Sequence, residues 1–494
     1  MSWHQHLPAL LVVVPLLAAP LTVLLRRRGL SYLVSLAASL FALQAAVQLW
    51  MRARGGPAVS YAIGNWQPPW GIEYRVDALS AFVLVLISGM AFVLLPFARR
   101  SIGAEIAERQ HYLFYTMFLL CLSGLLGMTI TGDVFNVFVF LEISSLSTYV
   151  LIALGRDRRA LLAAYQYLIM GTIGATFIVI GIGLLYLMTG TLNMVDLAQR
   201  LPALQGSRPV LAALAFITVG LALKLALFPL HQWLPNAYTF APSAITAFLA
   251  ATATKVAIYV LLRFHYSVFG QPLSLGPLPT AQLLMLLALA GMFAASTMAI
   301  FQTDLKRLFA YSSVGQIGYI VLGMSQDSAS GLTGAIVHLF NHGITKGAIF
   351  LLLGGVALRM GGCSLVRVQG LARVMPLTSF SIVLCGLSLI GVPGTAGFVS
   401  KWYLLLAALE KGQWWLVFLI LGSSLLAVAY VWRFVENAYF KPLRADCTDR
   451  TEAPLSMLLP AGLLVAGVIY FGLDTRFTVG SAAEAAGVLL GSTR

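Results

Sequence analysis

Charge is what this sequence has least of. Asp, Glu, Lys and Arg make up 10% of its 494 residues, while 60% are hydrophobic; a soluble chain carries roughly 25% charged residues. Acids are scarcest, 17 against 31 Lys and Arg, for a formal net charge of +14. So few carboxylates argue against a dinuclear metal site. Cysteine is nearly absent too. Cys121, Cys363, Cys385 and Cys447 are scattered and form no CxxC, so neither an iron–sulfur cluster nor a zinc site is supported; they read as small apolar fillers and one loop thiol. No polar stretch is long enough for a soluble catalytic domain, the longest candidate being 51–78. The basic excess lacks the Lys/Arg stripe interleaved with aromatics that nucleic acid would require. It reads as loops facing anionic lipid and the cytoplasm.

What is abundant is the apolar run of about 20 residues, the length that crosses a bilayer. The pattern predicts an all-α polytopic membrane protein with fourteen spans, at 7–25, 30–50, 79–97, 111–130, 134–154, 161–188, 209–230, 242–264, 281–301, 306–324, 331–358, 377–410, 414–434 and 455–473. The first run is followed by Arg26, Arg27 and Arg28 and reads as a retained helix, not a cleaved signal. If it runs from outside to inside, the inner loops hold about twice as many basic residues as the outer ones, which places both termini outside.

Two spans look broken. The seventh meets Pro229 and Pro235 in "KLALFPLHQWLPNA". The twelfth, 377–410, would be roughly 50 Å as one helix, too long for a core of about 30 Å, and contains "GVPGTAGFVSKW" with Pro393. Proline removes a backbone donor, and broken helices at membrane depth occur where backbone lines a cavity or is buried in protein. Interrupted spans five helices apart point to an internally repeated transporter; the plain alternative is a pair of structural kinks.

Ionisable residues inside the spans are few: Glu142, Lys224, Lys255, His338, His342, Lys346 and Lys401. A lone lysine at bilayer centre costs about 2.5–3.5 kcal/mol. His338, His342 and Lys346 follow i, i+4, i+8 and share one helix face, a row able to relay protons. Haem would need a histidine from each of two helices, and His231 and His265 lie near span ends. Glu142 and Lys224 can form a switchable ion pair, with Lys255, Lys346 and Lys401 extending the line. The competing reading makes these residues interhelical struts or snorkelling lysines. Asp77, Glu436 and His231 lie at or near span ends, where anchoring competes with transport.

At these residues the chain resembles the antiporter-like subunits of respiratory complex I, membrane-bound hydrogenases and Mrp-type cation/proton antiporters. The resemblance covers nearly the whole chain. It rests on "PPWGIEYRVDALSAF", "NVFVFLEISSLSTYVL", "KLALFPLHQWLPNAY", "APSAITAFLAATATKVAIYVLLR", "QTDLKRLFAYSSVGQIGYI", "HLFNHGITKGAIFLLLGG" and "GVPGTAGFVSKW". "GTLNMVDLA" and "VFNVFVFLEI" look most like the Mrp D-type subunit. The resemblance implies two inverted five-helix repeats, each with a broken helix, within the division 1–110, 111–264, 281–434 and 455–494. It implies Glu142 and Lys224 as an ion pair, Lys255 as the connecting lysine, His338, His342 and Lys346 as the central relay, and Lys401 as the terminal lysine. His231, Asp77, Pro229 and Pro393 have either a relay or a structural role. Two positions depart from the family. Many relatives have lysine where Gln166 stands in "AYQYL", and aspartate where Asn236 follows "WLP".

The expectation is a proton-translocating subunit of a multisubunit Na+/K+ and proton antiporter. It is a secondary transporter without cofactor or metal, sitting in a bacterial inner membrane among other membrane subunits, with sodium, if any, handled by a neighbour. The alternatives are a proton-pumping subunit of a redox complex, a membrane partner coupling proton flow to a soluble enzyme such as one hydrating carbon dioxide, and a scaffold with a dead channel.

Overall fold

The computed structural model describes residues 3–204, 206–270, 279–443 and 451–491. Cys447 of the sequence reading lies outside them. In chain order the helices are α1 (Leu7–Leu25) and α2 (Arg28–Ala53), then a hairpin of β1 (Val59–Ala62) and β2 (Glu73–Val76). There follow α3 (Ala78–Glu105), α4 (His111–Ile130), α5 (Val134–Ala153), α6 (Arg158–Thr189), the short α7 (Met194–Arg200) and α8 (Arg208–Leu225). Next come α9 (Trp233–Phe240), α10 (Ser243–Ala251), α11 (Ala253–Leu262), α12 (Thr280–Ile300), α13 (Leu305–Ser325) and α14 (Ala329–Met360). The chain continues through α15 (Pro376–Ile390), α16 (Ala396–Glu410), α17 (Trp414–Val435), α18 (Leu455–Leu473) and α19 (Arg476–Leu489).

Thirteen helices among the described residues are long and apolar enough to cross a membrane, α10 and α11 counting as one. The expected twelfth span is not one helix but two limbs, α15 and α16, split at residues 391–395. Many helix starts carry a side-chain cap: Asp77 on Ser80, Asp133 on Asn136, Asp157 on Arg159, Asp304 on Arg307 and Ser328 on Gly331, each satisfying a backbone N–H orphaned at the end of a helix. The alternating connections leave the two ends of the chain, the hairpin and α7 on one face, here the terminal face. The arginine-rich loops lie on the other, the basic face.

Three features differ from the sequence reading. The loop 51–78 contains the antiparallel hairpin, Val59 opposite Val76. The eighth span is interrupted at Thr252 (φ −124°, ψ −55°) with no proline or glycine at the break. Beyond 473, past the last expected span, the chain forms α19. Thr478, Ser481, Ala482, Ala485, Ala486 and Leu489 bury its inner side, and it packs on α3 and α14. Phe477 sits among Trp50, Phe82, Phe340 and Phe471, at ring separations of 5.2, 5.6, 5.6 and 5.8 Å.

Burial grades from the rim inward. α1, α12 and α18 bury about a third of their span, whereas α13 is buried throughout and α10–α11 almost throughout. The lipid-facing helices are therefore peripheral, and the middle of the bundle is walled by α10, α11, α13 and α14.

A buried line of ionisable side chains

α8 ends at Leu225 because Ala226 turns left-handed (φ 59°) and Pro229 follows. Lys224 is in its last turn and buried. The backbones of α6 and α8 touch at two glycines, where a Cβ on Gly174 would lie 3.0 Å from the Gly220 carbonyl. Lys224 Nζ donates to Ser145 Oγ at 2.8 Å and lies 3.8 Å from Glu142 Oε1. Ser145 and Glu142, three residues apart on α5, share a face. The Glu142 oxygen that faces the lysine accepts no hydrogen bond from any of the described residues. Charge alone holds this pair.

At the end of the turn after α8, where Trp233 opens α9, the Trp233 Nε1–H donates to the Leu223 carbonyl at 2.9 Å, and the ring stacks on Tyr167 at 3.8 Å. These contacts satisfy one carbonyl left open at the break. His231 lies in the same turn, stacked on Phe228 and edge-on to Tyr311 of α13, with Nδ1 unpartnered among the described residues. It thus sits where the first broken span meets α13. Gln166 and Asn236, the two departures, meet each other: Asn236 Nδ2 donates to Gln166 Oε1 at 2.7 Å. A neutral amide pair occupies the place where the resemblance implies opposite charges.

Lys255 is fully buried. Its ammonium donates to the Ala250 carbonyl, just before the interruption, and to Thr254 Oγ1 at 3.3 Å. α14 comes close at this point because Gly343 has no side chain; a Cβ there would lie 2.9 Å from the Ala251 carbonyl. The approach brings His338, His342 and Lys346 within electrostatic reach of Lys255. As the spacing predicts, these three share one face of α14. The rings of His338 and His342 are 5.8 Å apart. His338 Nδ1 meets Ser400 Oγ at 2.7 Å, and neither ring nitrogen of His342 has a protein partner among the described residues. Buried polar atoms of this kind are the ones water serves. Lys346 donates to the Phe309 carbonyl at 2.8 Å and to Ser312 Oγ, both on α13.

The second break runs through Gly391 (φ 93°), Pro393 and Gly394 (φ 85°). Lys401 Nζ donates to the last carbonyls of α15, Leu389 and Ile390, and to Ser424 Oγ, each at 2.9 Å; it lies 4.4 Å above the Tyr319 ring. The C-terminal end of a helix carries partial negative charge and favours a cation. Lys224 precedes its breaking proline and Lys401 follows the second one. The Lys401 ammonium thus stands at the C-terminal mouth of the first limb, whereas Lys224, in the last turn of α8, turns its ammonium to Ser145 and Glu142 of α5.

Asp77 lies off this line. It caps α3 and pairs with Arg263, which also donates to Tyr259 Oη at 3.0 Å, at the terminal face. His265 meets Thr218 Oγ1 at 3.1 Å nearby. Glu436 pairs with Lys441 at 3.4 Å on the basic side. Among the described residues no three His, Cys, Asp or Glu converge as a metal site would need.

One residue escaped the sequence reading. Glu105 ends α3 at the basic face, where a charge at a span end is ordinary. Its carboxylate accepts from Ser243 N, Ser243 Oγ and Ser101 Oγ, all at 2.7 Å, and lies 3.9 Å from Lys306 Nζ. It joins α3, α10 and α13 at the floor of a cavity of about 600 Å³ also lined by Arg156, Asp157, Arg159 and Arg307. Six residues along α13, about 9 Å of rise, separate Lys306 from Ser312, the partner of Lys346. Nothing in the sequence links position 105 to 243 and 306.

Residues 131–427 match the family described as NADH:quinone oxidoreductase/Mrp antiporter, TM. A Desulforudis audaxviator protein named NADH-quinone oxidoreductase subunit N is 45% identical over 484 residues, covering 95% of this chain and 96% of that protein. An Alkalihalophilus pseudofirmus protein, named as the D-type subunit of a Na(+)/H(+) antiporter, is 32% identical over 410 residues, covering 83% and 82%. Among solved structures, a chain of the membrane-bound sulfane sulfur reductase, an archaeal respiratory membrane complex, superposes with a TM-score of 0.90 at 30% identity, covering 98% of this chain and 97% of that one. The broken spans, the buried lysines and these matches agree: the chain belongs to the NADH:quinone oxidoreductase/Mrp antiporter family of membrane proteins.

Proposed function

We propose that this chain is the proton-translocating subunit of a multisubunit Na+/K+ and proton antiporter in a bacterial inner membrane, with both termini on the outer side. Residues 111–264 and 281–434 would be its two inverted repeats. The observation that supports this most is the set of four buried lysines in the bundle interior, one held by Glu142 and three by backbone carbonyls. Such costly residues lie in one sequence from Glu142 to Lys401. At 3.8 Å and an effective dielectric near 20, the Glu142–Lys224 attraction is about 4 kcal/mol. Protonating Glu142 removes it, and Lys224 releases its proton more readily. A change of charge there is felt by Lys255, then by the His338, His342 and Lys346 row, then by Lys401. The cavity over Glu105 and Lys306 is the entrance from the basic face. No member of the line provides a carboxylate cage for sodium, so the metal cation crosses at a neighbouring subunit.

Everted vesicles of an antiporter-deficient host, expressing the chain with its neighbouring genes, test this. Na+- or K+-dependent proton movement is expected, at least tenfold lower in Lys224→Ala and Glu142→Ala. Wild-type antiport by either variant in a normally assembled complex would falsify the reading. A second reading is favoured by one observation, the 45% identity to a protein named NADH-quinone oxidoreductase subunit N. It makes the chain a proton-pumping subunit of a redox-driven complex. Proton movement that needs a redox substrate and ignores Na+ and K+ selects that reading.

A further inference from the structure

At the basic face, the α1–α2 turn and the last turns of α3 gather Arg27, Arg28, Arg99 and Arg100. Arg28 Nη2 donates to the Arg99 carbonyl at 2.5 Å, and the Arg99 guanidinium lies 5.4 Å over the Tyr32 ring. Gly103 makes room for this arrangement: a Cβ there would sit 3.1 Å from Arg28 Nη2. Between these groups is a cavity of about 480 Å³, lined by Arg28, Tyr32, Arg99, Arg100 and Tyr115 among others. A second, of about 440 Å³, shares Tyr32 and Arg99, adds Arg27, and is flanked by Leu30 and Leu33.

Neither lining holds a carboxylate among the described residues. The cavity over Glu105 differs, since Glu105, Asp157 and Asp304 balance its basic groups. Four guanidinium groups with no acid among them repel one another unless an anion joins them. A second observation is independent of charge. Tyr115 is completely buried, lines the first cavity, and its hydroxyl has no hydrogen-bond partner among the described residues. Buried hydroxyls rarely go unpaired. The site thus offers guanidinium donors and one phenol, the donor set of a phosphate. Leu30 and Leu33 beside it are 40% and 57% exposed on the flank of α2, where acyl chains would run.

We propose that this double cavity binds the headgroup of an anionic phospholipid, its phosphate between Arg28, Arg99 and the Tyr115 hydroxyl and its acyl chains along Leu30 and Leu33. The apolar flank selects a lipid over free phosphate. The site shares no residue with the ionisable line and does not depend on what drives transport.

The test uses the purified full chain in nanodiscs of phosphatidylcholine with graded phosphatidylglycerol, retained lipid being counted by mass spectrometry. Wild type is expected to enrich phosphatidylglycerol, and 10 mM inorganic phosphate leaves it bound. Arg28→Gln with Arg99→Gln lowers the enrichment about tenfold or more, since each basic residue near the surface is worth about 1 kcal/mol, roughly fivefold. Tyr115→Phe, which keeps the buried ring and the fold, lowers it about threefold or more. Arg476→Gln, on the terminal face, leaves it unchanged. Equal enrichment in wild type, the double variant and Tyr115→Phe overturns the proposal. Displacement of the lipid by inorganic phosphate overturns it too, in favour of a free-anion site.

Discussion

Five of the described lysines are buried; one, Lys306, is at the basic face, and the partners of the other four divide them into two kinds. Lys224 faces a carboxylate that can itself take a proton. Lys255, Lys346 and Lys401 face carbonyls, which cannot. Of these four only the first has a carboxylate beside it to take that proton; Lys346 has His342 one turn away, and Lys255 and Lys401 respond to charge that changes elsewhere on the line. Glu142 and Lys224 should therefore act as a unit: Glu142→Gln combined with Lys224→Ala is expected to transport no worse than the poorer single variant. Additive losses in everted vesicles would mean two separate roles. Gln166 and Asn236 show where residue-level reading stopped. Read singly, each is a lost charge. Their 2.7 Å hydrogen bond makes them one substitution of a neutral pair for a charged one. Gln166→Lys alone should lower thermal stability in detergent by roughly 1–3 kcal/mol, and adding Asn236→Asp should restore most of it. A double variant as unstable as the single would end that explanation. Asp77 gives the contrast. Its loss leaves Arg263 buried without its ion pair, so Asp77→Ala should cost about 3–5 kcal/mol while transport per assembled complex stays near wild type. Transport lost from correctly assembled complexes would return Asp77 to the proton path.

At the scale of elements, most spans were legible because a run of about 20 apolar residues has few uses outside a bilayer, and the seventh and twelfth breaks because proline and glycine mark them. The α10–α11 interruption was not legible. Thr252 bends the span with its own Oγ1 on the Phe248 carbonyl at 2.7 Å, and a β-branched residue in an apolar run leaves no signature. α19 was missed for the opposite reason: its small Ala, Gly and Ser residues look like a tail until α3 and α14 are there to receive them. Glu105 was missed because the partners that tie it to α10 and α13, Ser243 and Lys306, are over a hundred positions away. Gly391 shows how tightly a break is specified. It needs φ 93°, and a Cβ would lie 2.8 Å from Lys401 Cδ. Gly391→Ala is expected to cost about 1–3 kcal/mol and to displace Lys401 from its carbonyls, cutting transport severalfold. A crystal or cryo-electron structure of the variant with Lys401 unmoved would contradict this.

For the whole molecule, the two faces that flank the line of charge differ. On the basic face a charged cavity stands over Glu105 and Lys306. On the terminal face α19 lays Phe477 against Phe340, which lies between His338 and His342 in the chain, and against Phe82 and Phe471. We expect that aromatic cover to keep water from the relay. Phe477→Ala should make vesicles leak protons without any exchanged cation, visible as faster collapse of an imposed pH gradient. A gradient as durable as in wild type would show that the seal lies elsewhere.

The placing of Lys224 and Lys401 bears on how the two broken helices compare with each other. Lys224 closes α8 before its break, and Lys401 follows the second break on α16. Lys401 reaches back to the severed helix end, on the carbonyls of Leu389 and Ile390, while Lys224 turns sideways to Ser145 and Glu142. An alignment of the two stretches by their lysines therefore sets a residue before one break against a residue after the other; an alignment by their breaks sets limb against limb and leaves the lysines unmatched.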